Sequence, residues 1–357
     1  MTRMRFTFVA LLAALAAGAA GCSNSGSVVP AGGLPSHLPQ SGQSAKEGVT
    51  ITEFADLPEY SGYYVPTAIA AGPERSLWVT DDIDQDFGEC AVARIATSGK
   101  LIKAYYYGGV TSEGASFADI TEGPDGALWI TDSYNSQILR MTTDGTFTSF
   151  PLTASPQSIT VGPDKALWFT ENTNGSVIGR ITTKGAIKTY GAQGDVEDIA
   201  AGPDGALWFT EFDGAIGRIT THGKITQYSN GITSGSEPYS IAPGPDGAMW
   251  FTELAGGSIG RITMAGKVTE YSHGITQGEA PVDLAAGADG AMWFTESESH
   301  DSYRTEAKIG RITTNGKIIE YAKNLASNSY PTSIVGAPDG NMWFVETDAD
   351  RTGRVRI

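Results

Sequence analysis

A tryptophan-centred segment returns seven times along a chain of 357 residues, and each of the 7 Trp sits in one copy. Its fullest form is Gly202-Pro203-Asp204-Gly205-Ala206-Leu207-Trp208-Phe209-Thr210-Glu211. The other centres are Trp78, Trp129, Trp168, Trp250, Trp293 and Trp343, and successive steps are 51, 39, 40, 42, 43 and 50 residues. A period near ~40 is that of four-stranded propeller blades. It overrides the prior of two or three domains that the length alone would suggest.

Each unit reads as four short pieces. In the fourth they are Asp198–Ala201, Ala206–Thr210, Ala215–Thr220 and Lys224–Tyr228. All are rich in Ile, Trp, Phe, Thr and Tyr, which is strand composition. Pro203-Asp204-Gly205 and Thr221-His222-Gly223 separate them as tight turns. The unit is therefore an antiparallel meander of strands A to D. Trp and Phe alternate across strand B, so both faces of each sheet are apolar and need cover. Seven blades stacked radially supply it.

The two ends of the folded region complement each other. The last unit stops at Gly353-Arg354-Val355-Arg356-Ile357, which matches strand C, and has no strand D. Val49-Thr50-Ile51-Thr52-Glu53-Phe54 matches strand D. The expected fold is all-β: a seven-bladed β-propeller over 49–357, its last blade closed by the N-terminal strand, which hides the sheet edges.

Residues 1–21 read as a secretion signal, with Arg3 and Arg5 ahead of an apolar run from Phe6 to Ala20. Ala19-Ala20-Gly21-Cys22 resembles a bacterial lipoprotein processing site with Cys22 as the acylated residue; an ordinary signal peptide is the alternative. Two or more acyl chains give stable membrane attachment. Residues 22–48 form a Ser-, Gly- and Pro-rich tether with a reach of about 28 Å. The expected location is extracytoplasmic, on a membrane through a lipid anchor. A net charge of −16 without a Lys/Arg cluster argues against nucleic acid.

A–B and C–D turns are short and uniform, whereas B–C and D–A connections vary. In a meander these two sets lie on opposite faces of the ring, so one face carries nearly all the variation, and binding usually sits on such loops. Two B–C loops are long: Asp81 to Ala93, and Glu296 to Lys308 with His300 and Tyr303. They read either as tolerated insertions or as a wall over a site. With Tyr64 and Tyr239 they supply candidate ligand contacts.

A carboxylate follows every strand B: Asp81, Asp132, Glu171, Glu211, Glu253, Glu296 and Glu346. An arginine sits in every strand C: Arg94, Arg140, Arg180, Arg218, Arg261, Arg311 and Arg354. Sevenfold recurrence points to architecture, with pairing of the two rings as the expectation. Symmetry breaks at the start of strand A, where Ala68, Asp119, Ser158, Asp198, Ser240, Asp283 and Ser333 follow one another. Asp119, Asp198 and Asp283, near Glu197, read as an acidic funnel able to hold Mg²⁺ or Ca²⁺, or as caps on free backbone N–H groups. Asp283 doubles as a candidate ligand contact.

The repeat Gly-Pro-Asp-Gly-Ala-Leu-Trp-Phe-Thr-Glu, with Ile-Gly-Arg-Ile-Thr after it, resembles the virginiamycin B (streptogramin B) lyase family over residues 49–357. The resemblance implies a seven-bladed propeller and Mg²⁺-assisted opening of a cyclic depsipeptide by elimination. It also implies histidines in a Pro-His-x-Ile motif of the late blades. Here Val282 and Thr332 stand in their place, and the earlier blades offer Thr67, Ala118, Gln157, Glu197 and Tyr239. Glu346 matches the family's glutamate after strand B of the last blade.

Two functional classes follow. One is a binding module for a small molecule, glycan or protein on the loop-bearing face. The other is a carbon–oxygen lyase of the streptogramin type, with Glu346, Glu197 and His300 as candidate catalytic groups. A sugar-lactone-type metal enzyme using the three aspartates is a further reading.

Overall fold

The computed structural model describes residues 48–54, 64–83, 89–108, 115–172, 176–298, 307–326, 329–347 and 350–357. The signal segment, Cys22, the tether, His300 and Tyr303 lie outside these residues. The described chain forms seven four-stranded antiparallel sheets. Blade 4 is typical, with strands A to D at Val196–Ala201, Ala206–Glu211, Ala215–Thr220 and Ile225–Tyr228. The A strands of successive blades lie side by side, and that of blade 7 (Pro331–Gly336) meets that of blade 1 (Tyr64–Gly72). The ring is closed as the sequence requires: Thr50–Phe54 pairs with Arg351–Arg356, with Ile51 opposite Val355.

Aromatic packing explains the period. Trp208 stacks on Tyr228 of its own strand D at 5.5 Å, and the other six Trp do the same with Tyr or Phe. In blade 7 the partner of Trp343 is Phe54, so the N-terminal strand brings the missing ring. The other Trp contacts cross between blades: Trp168 packs with Phe209, Trp208 with Phe251, and Trp250 with Phe294. Such buried aromatics contribute roughly 3–5 kcal/mol each.

Strand C compensates for the size of strand B. Opposite Phe209 stands Gly217, where a Cβ would run into the ring. Phe169, Phe251, Phe294 and Phe344 likewise face glycines. Where strand B carries the smaller Val79 or Ile130, strand C carries Ala93 or Leu139 instead.

The A–B turn does more than reverse the chain. Asp204 accepts Trp208 Nε1–H at 3.1 Å through Oδ1, and Arg218 Nε–H at 2.7 Å through Oδ2. Asp125, Asp164, Asp246 and Asp289 repeat this arrangement with Arg140, Arg180, Arg261 and Arg311. Burial pushes the Asp204 carboxyl up, but the bonds from Trp208 and Arg218 outweigh it and hold it below its ordinary value. The expectation that the arginine ring pairs with the carboxylates after strand B is therefore corrected. Trp208 lies opposite Arg218 in the ladder, whereas Glu211 lies opposite Ala215 at the other end of the strand.

Candidate functional site

The inner wall is built from a bulge at the start of every strand A. In blade 4 the register shifts between Val196 and Ile199, leaving Glu197 and Asp198 off the ladder. A bulge leaves its extra residue unpaired, and the threonine of strand B repairs the loss. Thr210 Oγ1 accepts Asp198 N–H at 3.0 Å and donates to the Tyr239 carbonyl of the next blade at 2.6 Å. Thr131, Thr170 and Thr252 make the same two bonds. In blade 7, where Val345 replaces the threonine, Thr347 bonds the Pro66 carbonyl of blade 1 at 3.0 Å.

The aspartates form a second band. Asp119 accepts Ile120 N–H of its own blade at 2.7 Å and Ile159 N–H of the next at 2.8 Å. Asp198 takes Ile199 and Ile241 N–H and the Ser158 hydroxyl. Asp283 takes Leu284 and Ile334 N–H. The Ser240 hydroxyl lies 3.0 Å from Asp198 and 2.7 Å from Asp283, and its one proton serves either. Asp in blades 2, 4 and 6 thus clips to blades 3, 5 and 7. Seven is odd, so strict alternation cannot close. Blade 1 carries Ala68 and uses Asp82 instead, which accepts Phe117 N–H at 2.9 Å and the Ser116 hydroxyl at 3.0 Å.

These bonds bear on the expected metal funnel. All six oxygens of Asp119, Asp198 and Asp283 already accept hydrogen bonds. Among the described residues no group of three or more His, Cys, Asp or Glu stands close enough to hold a metal ion. The set does not fit a divalent cation; it fits the capping of strand starts.

The ring of residues just before these aspartates is what the channel presents: Thr67, Ala118, Gln157, Glu197, Tyr239, Val282 and Thr332, all of intermediate exposure. Two of them are chemically distinctive. Burial, then the charges of Asp195 and Asp198, push the Glu197 carboxyl up to about 8, against a bond from Asn172 Nδ2 at 3.1 Å. Tyr239 is held above its ordinary value by burial and then by Glu197, Asp198 and Asp283. Glu197, Tyr239 and Asp283 are thus brought together. For the first two the shift favours the protonated form, in which each can donate a hydrogen bond. Burial also raises Asp119 to about 7 and Asp283 to about 6, with Asp198 adding to both.

Glu346 is elsewhere. It is fully buried at the end of strand B in blade 7, opposite Pro331 and Arg351. Neither oxygen has a hydrogen bond among the described residues. Burial, then Glu53, raises it to about 7. It belongs to the inside of its blade, three blades from Glu197. Tyr64 begins strand A of blade 1, opposite Ile83. The stretch after strand B of blade 1 is not all loop: strands B and C run on through Ile83 and from Glu89, with Asp82 paired to Cys90. Reading from sequence missed the threonine band, since Thr is ordinary strand composition. Its signal was there in the fixed position two residues after the Trp of blades 1 to 6.

The chain matches the model of the virginiamycin B lyase family over residues 49–273 and 154–357. Its fold is shared with a catalytically inactive histidine-to-alanine variant of virginiamycin B lyase from Staphylococcus aureus with quinupristin, at 31% identity and a TM-score of 0.73 over 87% of this chain and 99% of that one. A streptogramin B lyase is similar at 29% identity and a TM-score of 0.74, over 88% and 99%. A putative gluconolactonase, at 14% identity and a TM-score of 0.53 over 87% and 92%, shares the fold alone. No curated protein sequence matches the chain. The match of the family model, which spans every blade, settles descent: the chain belongs to the virginiamycin B lyase family.

Proposed function

We propose that the protein binds a small, neutral, carbonyl-rich molecule of the streptogramin B type at the mouth of its central channel, without opening it by a histidine-dependent route. The observation that carries this reading is the inner ring itself. It holds no imidazole, with Val282 and Thr332 at the motif positions, yet Glu197 and Tyr239 present two adjacent donors to any acceptor oxygen entering the channel. An anionic ligand is disfavoured by Asp198, Asp283 and Asp195 nearby. Two donors held in a low-dielectric wall give orientation as well as affinity.

One observation favours a lyase as the second reading. A carboxyl raised to about 8 is matched to acid–base work near neutral pH, and the Tyr239 phenol beside it keeps its proton. In its ionised form Glu197 would take a proton next to a carbonyl, and Tyr239 would protonate the leaving oxygen. Quinupristin incubated with the protein, followed by calorimetry and mass spectrometry, separates the two. Binding heat with intact antibiotic, weakened in Tyr239→Phe, supports the binding module. A linearised product that disappears in Glu197→Gln supports the lyase. Neither heat nor product removes both.

The expected anchor belongs to the same proposal. Acylated Cys22 would tie the propeller to a membrane surface through a tether whose mean reach is about 28 Å. Mass spectrometry of the mature N-terminal peptide tests it, and an unmodified Cys22 rules it out.

A further inference from the structure

The carboxylates after strand B look alike in sequence but not in their surroundings. In blade 2, Asp132 accepts from Asn135 Nδ2 at 2.9 Å and Gln137 Nε2 at 2.8 Å. In blade 4, Glu211 accepts from Gln227 Nε2 on strand D. Gln227 stands opposite Gly217 of strand C. The residues at that register position in blades 5, 6 and 7 are Glu270, Glu320 and Glu53, opposite Gly260, Gly310 and Gly353. Each meets a second carboxyl from strand B: Glu253, Glu296 or Glu346.

Both members of these pairs have an assigned place. The strand D glutamates fasten the connection that enters their own blade. Glu270 accepts the N–H and the hydroxyl of Thr233, both at 2.6 Å. Glu320 accepts the same two groups of Thr276. Glu53 accepts Ala326 N–H and pairs with Arg351 at 2.7 Å. The strand B glutamates are fully buried, and neither oxygen of Glu296 or Glu346 has a donor among the described residues. A buried carboxylate without donors costs several kcal/mol, and two facing each other cannot both be charged.

We propose that each of blades 5, 6 and 7 is latched by a carboxylic acid on strand B donating its proton to a carboxylate on strand D, so that the incoming connections of this sector loosen when the shared proton leaves. Blade 4 is the permanent form of the latch, with the amide of Gln227 as donor. The groups facing each pair do not remove the need for a proton. Glu253 meets Glu270 and the hydroxyls of Ser236 and Ser258. Glu346 meets Glu53, the Ser329 hydroxyl and Arg351. Glu296 meets Glu320, Glu279 and Lys308, one ammonium among three carboxyls. Burial, followed by the partner glutamate, raises Glu346 to about 7 and Glu296 well above its ordinary value, and Glu253 reaches about 7 chiefly through burial.

The sign follows from proton binding. The folded state holds these protons above the pH at which an unfolded glutamate, near ~4.3, has lost them. Their stabilisation is complete below that pH and is lost as pH rises through about 7. The test is the melting temperature of the full chain from about pH 4 to about pH 9, in the wild type, in Glu253→Gln/Glu296→Gln/Glu346→Gln, and in Gln227→Glu. Glutamine on strand B mimics the protonated acid, so the triple variant should fall less with pH and melt above wild type at about pH 8. Gln227→Glu adds a fourth pair and should steepen the fall. Amide exchange at Thr233 and Thr276 should lose protection with rising pH in the wild type and keep it in the triple variant. A triple variant with the wild-type pH profile would overturn the proposal. Should that variant fail to fold, a Gln227→Glu profile parallel to wild type would overturn it equally.

Discussion

Each end of strand B carries one carboxylate per blade, and the two ends treat it in opposite ways. At the end nearest the A–B turn, charge is matched in place: Asp204 takes the indole N–H of Trp208 and the guanidinium of Arg218, and four other blades repeat the pattern with aspartate. Blade 1 substitutes Glu74, in a turn where Glu74 and Arg75 have positive φ, and still reaches Arg94. At the other end the carboxylates are buried and the blades answer in more than one way, with amides in blades 2 and 4 and paired glutamates in 5, 6 and 7. The first end is a frame, kept uniform because each blade must fit its neighbours. The second is free to diverge, and it does so beside the connections that rim the channel.

Substitutions put this contrast to the test. Trp208→Ala, at the framed end, removes a ring stacked within its blade and packed on the next. It should lower unfolding free energy by about 3–5 kcal/mol in a denaturant titration. A loss below ~1 kcal/mol would show that the blades do not lean on one another through this residue. Asp198→Ala leaves the Ile199 and Ile241 N–H groups without their acceptor and should cost about 2–4 kcal/mol. If Asp198→Asn restores most of the loss, the role is hydrogen bonding rather than charge. Asp204→Ala should cost about 1–2 kcal/mol, because the indole loses its acceptor and the arginine its partner. Arg218→Ala should cost at most ~1 kcal/mol and less at high salt, since the pair is partly solvated.

A pH measurement addresses the channel wall. The Glu197 carboxyl has a folded value of about 8, so its contribution is present below the ordinary glutamate range and fades as pH rises through about 8. Glu197→Gln should flatten the melting profile over that window. An unchanged slope would mean that Glu197 is solvated and ionised at neutral pH.

The fold was legible because its signals repeat. Seven Trp, the turn glycines and the complementary termini determine blade number, strand count and closure without reference to any single contact. Even the glycine facing the strand B phenylalanine was visible in blades 3 to 6, as the Gly of Ile-Gly-Arg. The sites were less legible, for a physical reason. Whether Asp198 is a ligand or a cap depends on which N–H groups the bulge releases, and a bulge leaves no mark in composition. Arg218 and Glu211 seemed natural partners because both recur, yet the ladder separates them along the strand. The absence of histidine from the inner ring was legible directly, because only residue identity was needed.

The proposed binding site is the channel mouth at Glu197 and Tyr239, not the sevenfold carboxylates. A crystal structure of the protein soaked with quinupristin tests it most directly. Antibiotic density is expected in the channel mouth, with carbonyl oxygens in hydrogen-bond reach of the Glu197 carboxyl and the Tyr239 phenol. Density confined to the turn-bearing face, or a mouth that stays empty while the antibiotic binds elsewhere, would contradict it.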